Sequence, residues 1–316
     1  MLVVTDSAVR RIRADGADEA SARPFFRGEG IVRAAEGTET AIVALKDGGV
    51  LAVGENGAAE RLARLDEPME SLLILRDSAL EALVGTEGAR LHRIAGAGAE
   101  RIEAFDRLEC RGRWHTPWGG PPAVRSLAAT PDGTVYADIH VGGIMRSMDE
   151  GHSWEPVKDE LNEDVHQVAA CPAAPDRVVA NTARGVYVSD DRGLSWRHRA
   201  EDLGERYGRA VAVAPDEPDL MLATVSDGPH GDDVHGQLYR TEDAGQSWRH
   251  VADGFPAATK SNINTHHVAF SSDGTAWACV GTRLYRGSDR GRKWSEVWRA
   301  PREIVMLSTS SGMMGK

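Results

Sequence analysis

The segment SMDEGHSW at residues 147–154 decides the fold of this chain, because it returns three more times. Within it, Asp149 lies five residues before Trp154 and Gly151 lies three residues before the same tryptophan. The spacing recurs in SDDRGLSW at 189–196, TEDAGQSW at 241–248 and GSDRGRKW at 287–294. We call these four segments the boxes. Their aspartates are separated by 42, 52 and 46 residues, a period typical of the four-stranded blades of β-propellers.

Each period contains four short runs rich in strand-forming residues, with turn residues between them. Residues 125–158 are the clearest example, and the box falls in the turn between the third and fourth runs. In such a turn the aspartate accepts hydrogen bonds from N–H groups, the glycine adopts a positive φ, and the tryptophan packs between neighbouring blades. The boxes are therefore predicted to stabilise the fold, not to carry chemistry.

Residues 31–105 contain two fainter copies without a box, which brings the complete blades to six. The chain ends supply the seventh. EIVMLSTS at 303–310 has the pattern of a first strand without partners, and residues 1–26 contain runs typical of the other three strands. Pairing the two ends closes the ring and leaves no exposed sheet edge. We therefore predict a single all-β domain over 1–316, a seven-bladed β-propeller with almost no helix.

The composition excludes several classes of protein. The chain has a formal net charge of −11 and lacks the basic surface that non-specific nucleic-acid binding requires. Its 3 cysteines are far apart and do not form a CxxC pair, so neither a disulfide framework nor a cysteine metal site is predicted. The chain shows no signal-peptide pattern and no apolar run long enough to span a membrane. We expect a cytoplasmic monomer without nucleic-acid or membrane partners.

The boxes resemble the Asp-box (BNR) repeat, and the four-strand copies resemble the BNR/YVTN-like propellers often described as glycosyl hydrolase or sialidase-like. The resemblance is strong over residues 122–298 and rests on pattern alone elsewhere. It implies a propeller, but propellers with this repeat include sialidases, xyloglucanases, sortilin-type receptors and photosystem II assembly factors. Function must therefore be inferred from a site.

True sialidase activity is not expected. Sialidases hold the substrate carboxylate with three arginines, one of them in an N-terminal RIP-type motif, and ARPFF at 22–26 matches that motif poorly. Sialidases also use a tyrosine nucleophile. Of the 5 tyrosines in this chain, four alternate with apolar residues inside predicted strands, and Tyr207 alone lies outside that setting.

A second repeated feature is a polar residue near the start of the first strand of several blades. Counting six residues back from the turn that follows each first strand gives Arg125, His166, Arg209 and His266, and a looser alignment adds Glu70. Equivalent positions in a closed ring face a common axis, so these side chains should surround one mouth of the channel. His140, Tyr207 and His235 are predicted at the same face, opposite the boxes.

These residue types suit two chemistries. Arg125 and Arg209 can bind a carboxylate or sulfate, with Trp118 and His235 as further ligand-binding candidates. His140, His166 and His266 can ligate a divalent metal ion of unspecified type. Alternatively, His166, Tyr207 and His266 act as catalytic groups that exchange a proton with the ligand.

The favoured interpretation is a channel-mouth site for a small anionic or sugar-like ligand, and a carbohydrate-active lyase or hydrolase if the protein is an enzyme. The alternative is a non-catalytic scaffold similar to the photosystem II assembly factors, which would act through a surface.

Overall fold

The computed structural model describes residues 1–12, 24–158 and 160–309, and these residues form seven four-stranded antiparallel sheets. Each sheet is one blade of a propeller, which confirms the predicted fold. Helix is limited, within these ranges, to α1 (Glu103–Asp106) and a 3-10 turn at Glu109–Arg113. No helix in the described ranges is long and apolar enough to cross a membrane.

The strand bounds follow the chain, and the blades are numbered so that blade 7 combines both ends. Blade 7 begins with β1 (Leu2–Thr5), β2 (Ala8–Arg11) and β3 (Pro24–Arg27). Blade 1 contains β4 (Ile31–Glu36), β5 (Thr40–Leu45), β6 (Gly49–Gly54) and β7 (Ala59–Arg64). Blade 2 contains β8 (Met69–Arg76), β9 (Glu81–Thr86), β10 (Arg90–Ile94) and β11 (Ala99–Arg101).

The next four blades carry the boxes. Blade 3 contains β12 (Val124–Ala129), β13 (Val135–Ile139), β14 (Gly143–Ser147) and β15 (Glu155–Pro156). Blade 4 contains β16 (Val165–Cys171), β17 (Ala174–Thr182), β18 (Gly185–Ser189) and β19 (Arg197–His198). Blade 5 contains β20 (Tyr207–Val213), β21 (Met221–Ser226), β22 (Gln237–Thr241) and β23 (Arg249–His250). Blade 6 contains β24 (Val268–Phe270), β25 (Ala276–Val280), β26 (Arg283–Ser288) and β27 (Lys293–Arg299), and β28 (Ile304–Ser308) completes blade 7.

The two chain ends close the ring as predicted. β28 pairs antiparallel with β1, with Leu2 opposite Ser308 and Val4 opposite Met306. Closure gives every blade four strands and satisfies the backbone groups that an open β1 edge would expose. Residues 13–23 and 310, which the sequence assigned to the same blade, lie outside the described residues.

Three boxes are built from the same hydrogen bonds. In the first, Asp149 accepts from the backbone N–H of His152 at 3.1 Å and of Ser153 at 2.8 Å, and from the Ser153 hydroxyl at 2.6 Å. The Ser147 hydroxyl donates to Asp149 and accepts from the N–H of Gly151 at 2.7 Å. Asp191 and Asp243 repeat this pattern. These bonds hold the turn between the third and fourth strands.

The fourth box departs from the pattern because its sequence lacks both hydroxyls. Gly287 stands where the first box has Ser147, and Lys293 stands where it has Ser153. The Asp289 carboxylate instead accepts from the Arg292 guanidinium at 3.1 Å. Trp294 nevertheless packs in the core between blades 5 and 6, as the other box tryptophans do between their own blades.

The boxes lie at the face formed by the turns between first and second strands. The backbone N–H of Glu150, in the first box, donates to the carbonyl of Gly133, in the β12–β13 turn. In the second box, the backbone N–H of Arg192 donates to the carbonyl of Asp176, near the start of the second strand of blade 4. The first strands therefore begin at the opposite face, which is where the site described next is found.

Candidate site at the mouth of the channel

A β-bulge near the start of most first strands positions the polar side chains. Blades 1 to 5 and blade 7 each carry one extra residue in the first strand relative to its partner. The bulges contain Glu70 in blade 2, Arg125 in blade 3, His166 in blade 4 and Arg209 in blade 5. A bulge leaves a residue outside the ladder and redirects its side chain, and bulges are common beside functional sites.

The two arginine bulges are closed by side chains of the opposing second strand. Asp138 accepts from the backbone N–H of Ser126 at 2.6 Å, and Thr224 accepts from the backbone N–H of Ala210 at 2.8 Å. Both N–H groups have lost their ladder partner and both side chains are buried. Because a buried N–H needs an acceptor, these bonds stabilise the bulges and fix the backbone beside Arg125 and Arg209.

Arg125 and Arg209 lie where two cavities meet. The first, which we call the Tyr207 cavity, has a volume of about 300 Å³ and is lined by Trp118, Arg125, His140, Tyr207, Arg209, Pro229 and His230. The second, the Glu70 cavity, has a volume of about 390 Å³ and is lined by Arg33, Glu70, Arg125, Arg209, Asn264, Thr265, His266, His267 and Glu303 to Val305. The channel beyond His266 is lined mainly by apolar residues of the first strands. The polar groups are thus concentrated at the mouth.

Neither arginine at this junction has a carboxylate partner among the described residues. Arg125 donates to Nδ1 of His140 at 3.3 Å, and Arg209 donates to the carbonyl oxygen of Pro229 at 2.8 Å. Arg125 keeps a buried Nη1 and Arg209 a buried Nε without a hydrogen-bond acceptor. By contrast, Arg33 is paired with Glu70 at 3.1 Å. The junction therefore presents two cations whose donors are not fully used.

A row of polar contacts connects the two arginines. Arg125 contacts His140, and Nε2 of His140 lies 3.6 Å from Oδ1 of Asp164. The same oxygen lies 3.2 Å from Nε2 of His166, which in turn lies 3.2 Å from the Tyr207 hydroxyl. The row ends at Arg209, whose guanidinium carbon lies 5.0 Å from the centre of the Tyr207 ring. We call Arg125, His140, Asp164, His166, Tyr207 and Arg209 the mouth row.

The hydrogen bonds assign the tautomers of both histidines. Nδ1 of His166 lies 2.6 Å from the carbonyl oxygen of Gly208, so Nδ1 carries the proton and Nε2 accepts from Tyr207. His140 is reversed: its Nδ1 accepts from Arg125, so Nε2 carries the proton and faces Asp164. Oδ1 of Asp164 is buried and has no hydrogen-bond donor within bonding geometry among the described residues.

Burial controls the protonation of the mouth row. Burial lowers the pKa of His166. Burial and the nearby charge of Arg125 both lower the pKa of His140, to about 4. Burial also raises the pKa of the Tyr207 phenol. For Asp164, burial acts in the opposite direction, but opposing interactions, the charge of Arg125 among them, hold the pKa of the carboxyl below its usual value. At neutral pH the row therefore contains neutral imidazoles, a neutral phenol and one carboxylate.

The structure brings together most of the residues that the sequence predicted for this face. Arg125, Arg209, His140 and Trp118 line the Tyr207 cavity together with Tyr207 itself. Trp118 is 61% exposed and packs edge-on against His230, which lies in the loop between β21 and β22. His166 is fully buried behind Tyr207 and does not line the cavity, because Tyr207 lies over it.

Two predicted placements require correction. His266 does not join His140 and His166; the one group of three metal-type donors within 4.8 Å of one another in the described residues is His140, Asp164 and His166. The first strand of blade 6 begins only at Val268, so His266 lies in the preceding turn with φ 63° and lines the Glu70 cavity. His235 is exposed, lines neither cavity, and contacts Asp227 at 3.2 Å.

Two residues of the mouth were not singled out from the sequence. Arg33 follows the bulge of blade 1, but that blade lacks a Pro or Asp-Gly turn on which to align it. Glu303 precedes β28, which has no following turn within the described residues. The central place of Asp164 in the mouth row depends on how the segment before β16 brings its carboxylate to both His140 and His166.

A further cavity of about 390 Å³ lies away from the mouth row. It is bounded by Cys110, Trp114, the strands β14 and β15, and residues 157–158 and 161–163. The Cys110 thiol contacts the Met145 sulfur at 3.7 Å, and burial raises its pKa. A thiol with a raised pKa is a poor nucleophile, so this cavity offers little chemistry compared with the mouth.

Comparison with known proteins places the chain among propellers. A family model described as Sortilin-Vps10 (Sortilin, neurotensin receptor 3) matches residues 142–262, and no curated protein sequence matches the chain. The GH74 xyloglucanase from Xanthomonas campestris superposes with a TM-score of 0.69 at 15% identity, over 94% of this chain and 52% of its own. An ancestral GH74 enzyme gives 0.67 at 15% identity, over 94% and 40%.

A propeller of similar size is also similar in structure. YCF48 bound to D1 peptide superposes with a TM-score of 0.57 at 15% identity, over 84% of this chain and 81% of its own. The chain thus spans only about half, or less, of the two GH74 proteins but most of YCF48. At these identities the similarities show a shared fold.

Proposed function

We propose that the mouth of the channel binds a small anionic, sugar-like ligand, with its anionic group between Arg125 and Arg209. One observation carries this proposal: two arginines at equivalent bulges point to one junction and have no carboxylate partner in the described structure. A half-buried guanidinium without a counter-ion is costly, and a carboxylate or sulfate with bidentate geometry satisfies it.

The shape of the site supports a ligand of saccharide size. The two cavities, of about 300 and 390 Å³, are at the lower end of the range for small-molecule sites. The Tyr207 cavity is bounded by the half-buried Tyr207 and the exposed Trp118, whose aromatic faces suit the apolar face of a sugar ring. The boxes lie at the other face, and we assign the chain to the Asp-box (BNR) propellers with boxes that serve the fold.

The enzymatic form of this proposal is a carbohydrate-active lyase or hydrolase. Tyr207 and His166 are in hydrogen-bond contact and are the groups suited to proton transfer. His266 faces the Glu70 cavity instead, where burial lowers its pKa to about 3, so it suits ligand contact better than proton transfer.

A divalent metal ion is the competing proposal for the same residues. His140, Asp164 and His166 offer two imidazole nitrogens and a carboxylate oxygen close together. However, Arg125 donates to Nδ1 of His140, which places a proton on the nitrogen that faces Asp164. A bound cation would also lie near the charges of Arg125 and Arg209. Elemental analysis of protein purified without chelators tests this proposal, and stoichiometric metal would favour it.

The non-catalytic alternative is a scaffold similar to the photosystem II assembly factors. The size of the chain favours this alternative, because the chain covers most of YCF48 but only about half, or less, of the two GH74 proteins. The YCF48 structure contains a bound D1 peptide. On this alternative the exposed Trp118 and its loop would contact a protein partner.

Isothermal titration calorimetry with D-glucuronate, D-galacturonate, sulfate and D-glucose tests the proposal. We expect the acids to bind and glucose to bind at least tenfold more weakly. Arg209→Ala should weaken acid binding by a few kcal/mol, whereas Arg299→Ala, at an exposed position on β27, should not change it. Absence of binding by every anion, or equal loss in both variants, would contradict the proposal and favour the scaffold.

A further inference from the structure

We propose that Tyr207 removes a proton from the carbon that bears the ligand's carboxylate, and that His166 and Asp164 act through Tyr207. This inference rests on the proposed function, because it requires a carboxylate held by Arg125 and Arg209. It specifies the substrate class as small acids with a hydrogen on the carbon next to the carboxylate, such as uronic acids.

Position singles out Tyr207 as the group that touches the ligand. Tyr207 lines the cavity that Arg125 and Arg209 share, whereas His166 is fully buried behind it. The stack of Arg209 on the Tyr207 ring, at 5.0 Å, brings the phenol beside one of the two carboxylate-binding cations. The inference requires that a carboxylate at the junction places its neighbouring carbon within reach of the phenol oxygen.

The hydrogen-bond direction shows where protons move. Because Gly208 fixes the proton of His166 on Nδ1, Nε2 is free to accept, and the Tyr207 hydroxyl points its hydrogen at it. When the C–H bond breaks, its proton passes to the Tyr207 oxygen, and the proton of Tyr207 passes to Nε2 of His166. The electron pair of the C–H bond becomes the carbon–carbon double bond of an enediolate, whose charge lies on the two oxygens held by the arginines.

Asp164 is the positioning residue for this transfer. Its Oδ1 lies 3.2 Å from Nε2 of His166 but has no donor among the described residues while His166 is neutral. Once Nε2 is protonated, the same oxygen faces a cation. The carboxylate therefore stabilises the imidazolium formed in the reaction more than the resting imidazole, which is the requirement for lowering a barrier. His140, held by Arg125, turns its Nε2–H toward the same carboxylate.

Solvent exchange followed by proton NMR tests the inference directly. The wild-type protein in D₂O should replace the C5 hydrogen of D-glucuronate or D-galacturonate with deuterium, because return of a proton from Tyr207 delivers the solvent isotope. Tyr207→Phe should slow this exchange about 100-fold or more while the calorimetric affinity stays within about threefold. His166→Gln is the second variant and should also slow exchange without loss of binding.

The variant Asp164→Asn distinguishes a positioning role of Asp164 from a merely structural one. It should slow exchange and move the acidic limb of the pH–rate profile to lower pH, because the imidazolium of His166 loses its counter-ion. A merely structural role would lower the rate without moving the limb. Two results would overturn this inference and leave the anion site intact. In the first, the acids bind to the wild-type protein but their hydrogen does not exchange; in the second, exchange persists in Tyr207→Phe. If neither acid binds, the inference and the proposed function both fail.

Discussion

The hydroxyl of Tyr207 lies 3.2 Å from Nε2 of His166, and the other ring nitrogen of that histidine is held by the carbonyl of Gly208. Tyr207 and Gly208 are consecutive residues of β20, so one strand of blade 5 fixes both nitrogens of a histidine in blade 4. The contact therefore couples two neighbouring blades, and it sets the direction of the hydrogen bond between Tyr207 and His166.

The opposite tautomers of His140 and His166 are the first prediction. Nitrogen-15 NMR should show His166 protonated at Nδ1 and His140 protonated at Nε2 near neutral pH, because Gly208 accepts from the first ring and Arg125 donates to the second. Arg125→Ala should release the preference of His140 and leave His166 unchanged. The same tautomer in both rings would show that the hydrogen bonds of the mouth row run in other directions than those assigned here.

The boxes are predicted to act on stability alone. Asp149→Ala should lower the free energy of unfolding by about 1–2 kcal/mol, because the turn loses several hydrogen bonds to the carboxylate. Asp289→Ala is the matched control and should cost clearly less, since the fourth box lacks the two hydroxyls and the turn bonds. Chemical denaturation measures both, and a loss of ligand binding in Asp149→Ala with unchanged stability would contradict the assignment.

His267 is predicted to make the fold sensitive to acid. Burial lowers the pKa of this histidine to about 4 from an ordinary value of 6.5. The unfolded chain therefore binds the proton first, so stability present above pH 6.5 is lost as the pH falls toward 4. Between pH 8 and pH 5 the wild type should lose about 2 kcal/mol more than His267→Gln.

Exposed His152 provides the control for that comparison. His152→Gln should keep the acid sensitivity of the wild type in denaturation measured at both pH values. Equal pH dependence of wild type and His267→Gln would show that His267 ionises as easily in the folded protein as in the unfolded chain.

Closure of the ring by β28 predicts a strong effect of truncation. Removal of residues 302–316 deletes the buried side chains of Ile304, Met306 and Leu307, each contributing roughly 1.5–3 kcal/mol. It also leaves one edge of β1 unpaired, while β2 still pairs with the other edge. The melting temperature should fall sharply in a single transition. Deletion of 311–316, which keeps all of β28, should have little effect, and a truncated chain as stable as the full one would contradict closure.

The fold could be predicted from the sequence because propeller blades have a local signature. The box supplies a turn at a fixed point of each period, and the strands around it alternate in the usual manner. Even the boxless blades and the divided blade 7 could be recognised, since their strands have the same order. These features depend on residues close in sequence.

The site could be predicted only in part because its details depend on register. The offset of six residues located Arg125 and Arg209 correctly, since both lie in equivalent bulges. It also placed His266 at the mouth, but the residue lies in the Glu70 cavity and not beside His140 and His166, because blade 6 begins its first strand at Val268 and His266 falls in a turn with a positive φ. The bulges have no recognisable sequence pattern, and neither does the approach of Asp164 to two histidines.

A crystal structure of the protein soaked with D-glucuronate, without chelators, would show whether the two arginines bind the acid. We expect density for the acid at the junction of the Tyr207 and Glu70 cavities, with its carboxylate on Arg125 and Arg209 and its ring against Trp118 or Tyr207. Density for a metal ion among His140, Asp164 and His166, or a junction without the acid while the acid binds elsewhere on the propeller, would contradict this expectation.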